Sequence, residues 1–310
     1  MQRCSRSFRE IFHYRMEDQT KPPQSEAIKL SLIKRQKRTI LLYSDKLVKT
    51  NNYKRMKTTF LLFFMITASF SLFAQVEFVG HRGASYLAPE NTVAAAKLGW
   101  ELGAEGVEID VYLTPDQRVV AIHDKTTKRT TGVDLVVSET KSKKLRKLDA
   151  GTWKDEKFAG EKIPFVEEVL KIIPEDRYLV IEIKTGPEIF TALQKAIKKS
   201  GKEKQVKFIA FNWETILTAK KLFPDNDCYW LTSSAKDLDN KIGECAALGL
   251  EGIDVNAKLV TPETMAKAKK LGLDVWCWTV DKPEDAKRVA ELGVSAITTN
   301  RPGWLREQLK

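Results

Sequence analysis

The sequence predicts an α/β protein, a (β/α)8 TIM barrel with a small insertion after the second strand. Three observations carry that expectation. From Gln75 onward, short apolar runs alternate with helical patterns; eight of these runs read as parallel strands; and the 236 residues from Gln75 to Lys310 approach the roughly 250 typical of such barrels. An open doubly wound sheet would need a Gly-rich phosphate loop after its first strand, and GHRGAS lacks that spacing.

Taken in order, VEFVG is a short buried strand ending at Gly80, with His81, Arg82 and Gly83 just beyond it. Pro89, Glu90, Asn91 and Thr92 then open a helix that continues through AAAKLGWELGA, because Pro suits a first helical turn and Glu there complements the helix dipole. In GVEIDV the apolar Val107, Ile109 and Val111 alternate with Glu108 and Asp110. Residues i and i+2 share a strand face, so the two carboxylates point the same way. After a turn at Pro115 to Arg118, VVAIHD follows too soon for a parallel crossover. It is therefore an antiparallel hairpin arm that returns His123 toward Asp110.

The stretch from Lys125 to Lys162 is polar and too long for a plain connection, and reads as a surface insertion. FVEEVLKII, from Phe165 to Ile173, is an amphipathic helix stopped by Pro174. The strands YLVIEIK, VKFIAFN, CYWLTS, GIDVN, DVWCWTV and SAITT complete the eight, each with a helical pattern between or after them.

Charge separates the N-terminal residues from the rest. The full chain carries a net charge of +11, but 15 of its 52 Lys and Arg, against 5 of its 41 acids, precede Thr58. The remainder is close to neutral, which removes the main reason to expect a nucleic-acid partner. Met56, Lys57 and the uncharged run from Thr58 to Ala74 have the form of a signal peptide, residues 56–74, and are at the short limit for a membrane span. Export to the periplasm or exterior is expected, with no stable membrane anchor after cleavage. Residues 1–55 read as a disordered extension or as upstream sequence preceding the true start at Met56. Of the four cysteines, Cys228, Cys245 and Cys277 fall in the body, an odd number. Buried free thiols are expected rather than a disulfide set or a Cys-based zinc site.

Strand ends in such a barrel share one rim, so His81, Glu108 with Asp110, and Glu182 converge there, joined by His123. Three carboxylates suit one hard divalent cation, Ca2+ or Mg2+. Arg82 and Lys184 add positive charge, which fits a phosphate whose oxygens bridge metal and guanidinium. Two imidazoles can serve as base and acid in displacement at phosphorus. Trp276 and Trp278 share a face of DVWCWTV, and Trp278 is taken as a substrate-facing candidate at the mouth.

The blocks GHRGASYLAPENT, GVEIDVYLTPDQRVVAIHD, RTTG, LDAGTW, FAGEKIPFVEEVL, YLVIEIK and VWCWTVDKPEDAKRVAELGVSAITTNRP together resemble, in order, the motifs of glycerophosphodiester phosphodiesterases. The resemblance covers the chain from about Val76 to its end. It implies a TIM barrel that hydrolyses a small glycerophosphodiester to glycerol 3-phosphate and an alcohol. It also implies His81 and His123 as the catalytic pair, Glu108, Asp110 and Glu182 as metal ligands, and Arg82 and Lys184 near the phosphate. By resemblance to related phospholipases, His81 is the base and His123 the acid. Because a neighbouring hydroxyl of the glycerol is tethered to the phosphate, a cyclic phosphate is the expected route. Asn300 stands where the family usually has Asp.

Two other chemistries compete. A glycoside hydrolase also uses two carboxylates, but across a sugar, whereas Glu108 and Asp110 are neighbours on one strand. A phospholipase C or lysophospholipase D type reaction would call for an apolar rim, and the polar insertion offers no long apolar stretch.

Overall fold

The structure, a computed structural model, describes Val76–Lys310. The expected extension 1–55 and signal segment 56–74 lie outside the described residues. Eight parallel strands close into a barrel: β1 (Glu77–Gly80), β2 (Gly106–Leu113), β4 (Tyr178–Ile183), β5 (Val206–Ala210), β6 (Cys228–Thr232), β7 (Gly252–Asn256), β8 (Asp274–Trp278) and β9 (Ala296–Thr299). β1 pairs with both β2 and β9, which completes the ring. The extra strand β3 (Val119–Ala121) pairs antiparallel with β2 as the hairpin arm, with Val111 opposite Ala121. Every strand expected from the sequence is present.

Alternation along the strands divides the core in two. Outward residues such as Ile109, Ile181, Ile253 and Val255 pack under the surrounding helices, while Val79, Val180, Tyr229 and Trp276 fill the barrel. Those four interior residues come from alternate strands, β1, β4, β6 and β8, as one layer of a packed barrel does. The Tyr229 and Trp276 rings stack there at 4.2 Å. Since the register advances about one residue per strand, the next layer toward the C-terminal strand ends comprises Glu108, Ile209, Asp254 and Thr298. The change from an aromatic layer to a polar one marks the floor of the mouth.

Three local expectations need correction. The first long helix is Val93–Glu101, with Thr92 as its N-cap accepting from the Ala95 amide at 3.1 Å. Pro89, Glu90 and Asn91 form a turn before it, because Asn91 takes a left-handed φ of 57° that no helix start permits. The helix expected over Phe165 to Ile173 is only Val166–Leu170. The insertion is more than a polar surface segment. Short turns of helix at Lys128–Thr131, Val137–Glu139, Ser142–Leu145 and Glu156–Phe158 wrap a separate small core of Tyr112, Val120, Ile122, Val137, Leu145, Ala150 and Ile163. Its apolar residues are single and irregularly spaced, so no periodicity revealed them. Cys228, Cys245 and Cys277 are buried free thiols, as expected.

Candidate active site

The turn after β1 places the first group of residues. Arg82 and Gly83 both have positive φ, 55° and 85°. A Cβ on Gly83 would lie 2.4 Å from the Ala95 carbonyl carbon, so only glycine lets this turn press against the following helix. The turn aims the Arg82 amide at Glu108 Oε2, 2.8 Å away, and leaves His81 at the rim.

Glu108, Asp110 and Glu182 each offer an oxygen within 4.8 Å of the others. Asp110 and Glu182 are register partners on β2 and β4, and Glu108 is one step deeper on the same face. The three expected carboxylates therefore meet. Glu108 is 2% exposed, and its Oε1 has no partner among the described residues. Burial and the repulsion of Asp110 and Glu182 raise its carboxyl well above the usual range. Burial and Asp110 likewise raise Glu182 to about 7. Asp110 is buried too, yet lies below its ordinary value because Arg82 and Lys184 outweigh the desolvation. An orphaned buried oxygen within three mutually repelling carboxylates fits a hard divalent cation.

The two cations close this half of the site. Lys184 Nζ lies 2.7 Å from Glu182 Oε1 and 3.4 Å from Asp110 Oδ1. Arg82 Nε lies 3.4 Å from Asp110 Oδ2, and its NH1 donates to Glu90 at 2.9 Å. Asn91, which sequence reasoning placed in a helix, clamps Asp110 from both sides. Its Nδ2 donates to Asp110 Oδ2 at 2.8 Å and its Oδ1 accepts from the Asp110 amide at 2.9 Å. The PENT block was visible in the sequence, but the left-handed turn that gives Asn91 this reach was not.

Each histidine is tied through Nδ1. His81 Nδ1 is 2.8 Å from Asn300 Oδ1, which also accepts from Ser85 Oγ, while Asn300 Nδ2 donates to Asp281. That network fixes the amide and assigns the Nδ1–H tautomer, leaving Nε2 bare. Burial first, then the nearby Arg82 charge, lowers His81 to about 4, so it is neutral near pH 7. His123 Nδ1 is 2.7 Å from Asp124 Oδ1. Asp124 is held in turn by Arg129 Nε at 2.7 Å, and Arg129 forks onto Glu90 at 2.7 and 2.8 Å. Hydrogen bonding to Arg129 keeps the Asp124 carboxyl down at about 2. Sequence reasoning named the histidines but missed Asn300's contact, Asp281, Asp124, Arg129 and Glu90, whose roles depend on contacts across the mouth.

Trp278 is half-buried at the end of β8, edge-on to Phe211 at 5.6 Å, on the wall opposite the charged cluster. Trp276 packs inside the barrel, 2% exposed.

The sequence model of the glycerophosphoryl diester phosphodiesterase family matches residues 81–304, spanning both histidines and all three acids. The chain belongs to that family. It is 38% identical over 244 residues to a glycerophosphodiester phosphodiesterase of Caldanaerobacter subterraneus, covering 73% of this chain and 95% of that protein. A Bacillus subtilis glycerophosphodiester phosphodiesterase is 27% identical, covering 72% and 83%. Among solved structures, a phosphodiesterase of Oleispira antarctica in complex with the product sn-glycerol-3-phosphate aligns with a TM-score of 0.71 at 26% identity, over 75% of this chain and 96% of that one. This family member is thus a TIM-barrel phosphoric diester hydrolase, as the sequence predicts.

Proposed function

We propose that this protein hydrolyses small glycerophosphodiesters to glycerol 3-phosphate and a free alcohol, using one divalent cation, Ca2+ or Mg2+, held by Glu108, Asp110 and Glu182. The observation that carries the reading is the pair of histidines tied through Nδ1 beside a carboxylate cluster with an orphaned oxygen. When bound, the cation supplies charge neutralisation at the phosphate. Arg82 and Lys184 bind the non-bridging phosphate oxygens and stabilise the charge that grows on them.

His81, neutral and with Nε2 bare, takes the proton of the glycerol hydroxyl as that oxygen attacks phosphorus. His123, oriented through Nδ1 by Asp124, gives its proton to the departing alkoxide. The ester P–O bond breaks, and a cyclic phosphate forms on the substrate. Water then opens the ring with the two roles reversed, restoring both histidines. Trp278 lines the mouth on the organic side.

Incubation of the purified protein with glycerophosphocholine, glycerophosphoethanolamine and lysophospholipids, with Ca2+, Mg2+ or chelator, tests the reading. Glycerol 3-phosphate and free choline should appear only with a cation. Turnover of lysophospholipids alone would move the assignment to the phospholipase type. A diester lacking the neighbouring hydroxyl should resist cleavage, and its hydrolysis at the normal rate would rule out the cyclic route. The basic-then-apolar segment 56–74 supports action outside the cytoplasm.

A further inference from the structure

The mouth has two chemically different walls. Arg82, Lys184 and the three carboxylates come from β2, β4 and the turn after β1. The facing wall, β5 to β8, presents Phe211, Leu231 and Trp278. One acidic side chain stands in that wall, Asp254 on β7. It is 1% exposed, and its Oδ1 has no partner among the described residues. Its register neighbours are Leu231, which has no polar side-chain atom, and Trp276, whose indole N–H makes no hydrogen bond to that Oδ1. The Trp278 indole N–H donates at 3.3 Å to the Asp254 backbone carbonyl instead. Asp254 shares its interior layer with Glu108, four strands away around the ring, which places it on the opposite side of the floor.

A buried carboxyl without a partner destabilises a fold, and among the described residues no ion pair, cap or turn uses it. Such a group is usually matched by something the chain does not contain. The phosphate is drawn to Arg82, Lys184 and the cation site, so the organic part of the diester lies against the β5–β8 wall. Glycerol has carbon faces that suit an aromatic pair and hydroxyls that need partners.

We infer that Asp254 is a specificity-determining residue that hydrogen-bonds a glycerol hydroxyl of the substrate, with Phe211 and Trp278 against the carbon face. The inference rests on the glycerophosphodiesterase reading. Burial, then the negative charge of Glu182, pushes the Asp254 carboxyl well above the usual carboxylate range. A carboxylic acid both donates to and accepts from a hydroxyl, and it does not repel the phosphate.

Titration calorimetry on the full chain with saturating Ca2+ or Mg2+ tests this, using glycerol 3-phosphate and propyl phosphate as probes. Propyl phosphate has the same carbon chain and phosphate without the hydroxyls. The wild type should prefer glycerol 3-phosphate, and Asp254→Leu should weaken that ligand about tenfold or more while leaving propyl phosphate unchanged. Asp254→Asn, which keeps the shape and both hydrogen-bonding functions, should retain part of the preference and guards against misfolding of the leucine variant. Both variants should melt no lower than the wild type, since an orphaned buried group is removed or neutralised. Equal effects on the two probes, or none, would assign Asp254 to a structural water and overturn the inference. Because binding is read without turnover, preserved discrimination in a protein that cleaves no glycerophosphodiester would sink only the activity reading. Turnover without discrimination would sink only this one.

Discussion

His81 Nδ1 lies 2.8 Å from Oδ1 of Asn300, at a position where a carboxylate would have favoured the imidazolium. A neutral amide orients the ring while raising its proton affinity too little to offset burial and Arg82, and Asp281 behind it fixes which way the amide points. The bare Nε2 and the low affinity together leave a nitrogen that can accept a proton without first losing one.

The first prediction concerns pH. His81 sits at about 4, below its ordinary value, so the acidic limb of kcat/KM that reports it should fall below about pH 5 rather than near 6.5. Asn300→Ala removes the orienting acceptor and should lower kcat about tenfold or more, with little change in KM. A full pH–rate profile of both proteins checks the pair of statements, and a wild-type acidic limb at 6.5 assignable to His81 would contradict the first.

A second prediction follows from the carboxylate cluster. Glu182 is raised to about 7 from 4.5, so the folded protein without cation binds more protons than the unfolded chain between those values. Its contribution to stability is therefore lost as pH rises from about 4.5 through 7. A cation that holds the carboxylates ionised should stabilise more strongly at pH 8 than at pH 5. Melting temperatures with chelator and with Ca2+ or Mg2+ at both pH values measure this. In Glu108→Gln, the cation-induced rise should shrink while the chelated protein melts no lower than the wild type.

Arg129 provides the third. Its guanidinium bridges Asp124 and Glu90, so Arg129→Ala frees His123 to turn and should reduce kcat about tenfold or more. Arg129→Lys should not restore it, because an ammonium cannot span both carboxylates in one plane. The arginine is partly exposed, so the accompanying stability change should stay near ~1 kcal/mol or less. Turnover and melting measured on the same preparations separate the two effects.

Gly83→Ala is the fourth. The residue has φ of 85°, and the added carbon meets the Ala95 backbone at 2.4 Å. Strain and overlap together should cost roughly 2–4 kcal/mol. The Arg82 amide would also leave Glu108, so denaturant unfolding should report the loss alongside a fall in turnover. A variant as stable as the wild type would mean the turn is softer than its packing suggests.

The fifth concerns export. Intact mass of the protein recovered from its native source should correspond to a chain starting near Gln75, and a mature species retaining Met1 would contradict removal of the leader.

The site was legible in the sequence to the extent that it follows strand ends. Glu108 with Asp110 could be placed on one face from the period of two, and His123 could be returned to them by the short turn at Pro115. His81, Glu182 and Lys184 followed once eight strands were counted, because parallel strands in a closed ring finish on one rim. The pattern of a strand is set by local alternation between core and mouth, and that alternation is written residue by residue.

Contacts between segments far apart in the chain were not legible in this way. Asn91 reaches Asp110 only because its backbone turns left-handed, Arg129 reaches Glu90 across 39 positions, and Asn300 meets His81 across 219. The insertion's small core has single apolar residues with no period. Asp254 read as one polar residue of a strand, and only the register that sets it opposite Glu108, with no partner for its Oδ1 among the described residues, distinguishes it. The sequence by itself determined the fold class, the family and the carboxylate-bearing strand faces, since these follow from local periodicity and ordered motifs. The tertiary structure alone decided which nitrogen of each histidine is free, which carboxyls are raised or lowered, and which buried acid lacks a partner. Tautomer, proton affinity and hydrogen-bond satisfaction depend on burial and on charges brought within a few ångströms by folding, which no stretch of sequence specifies alone.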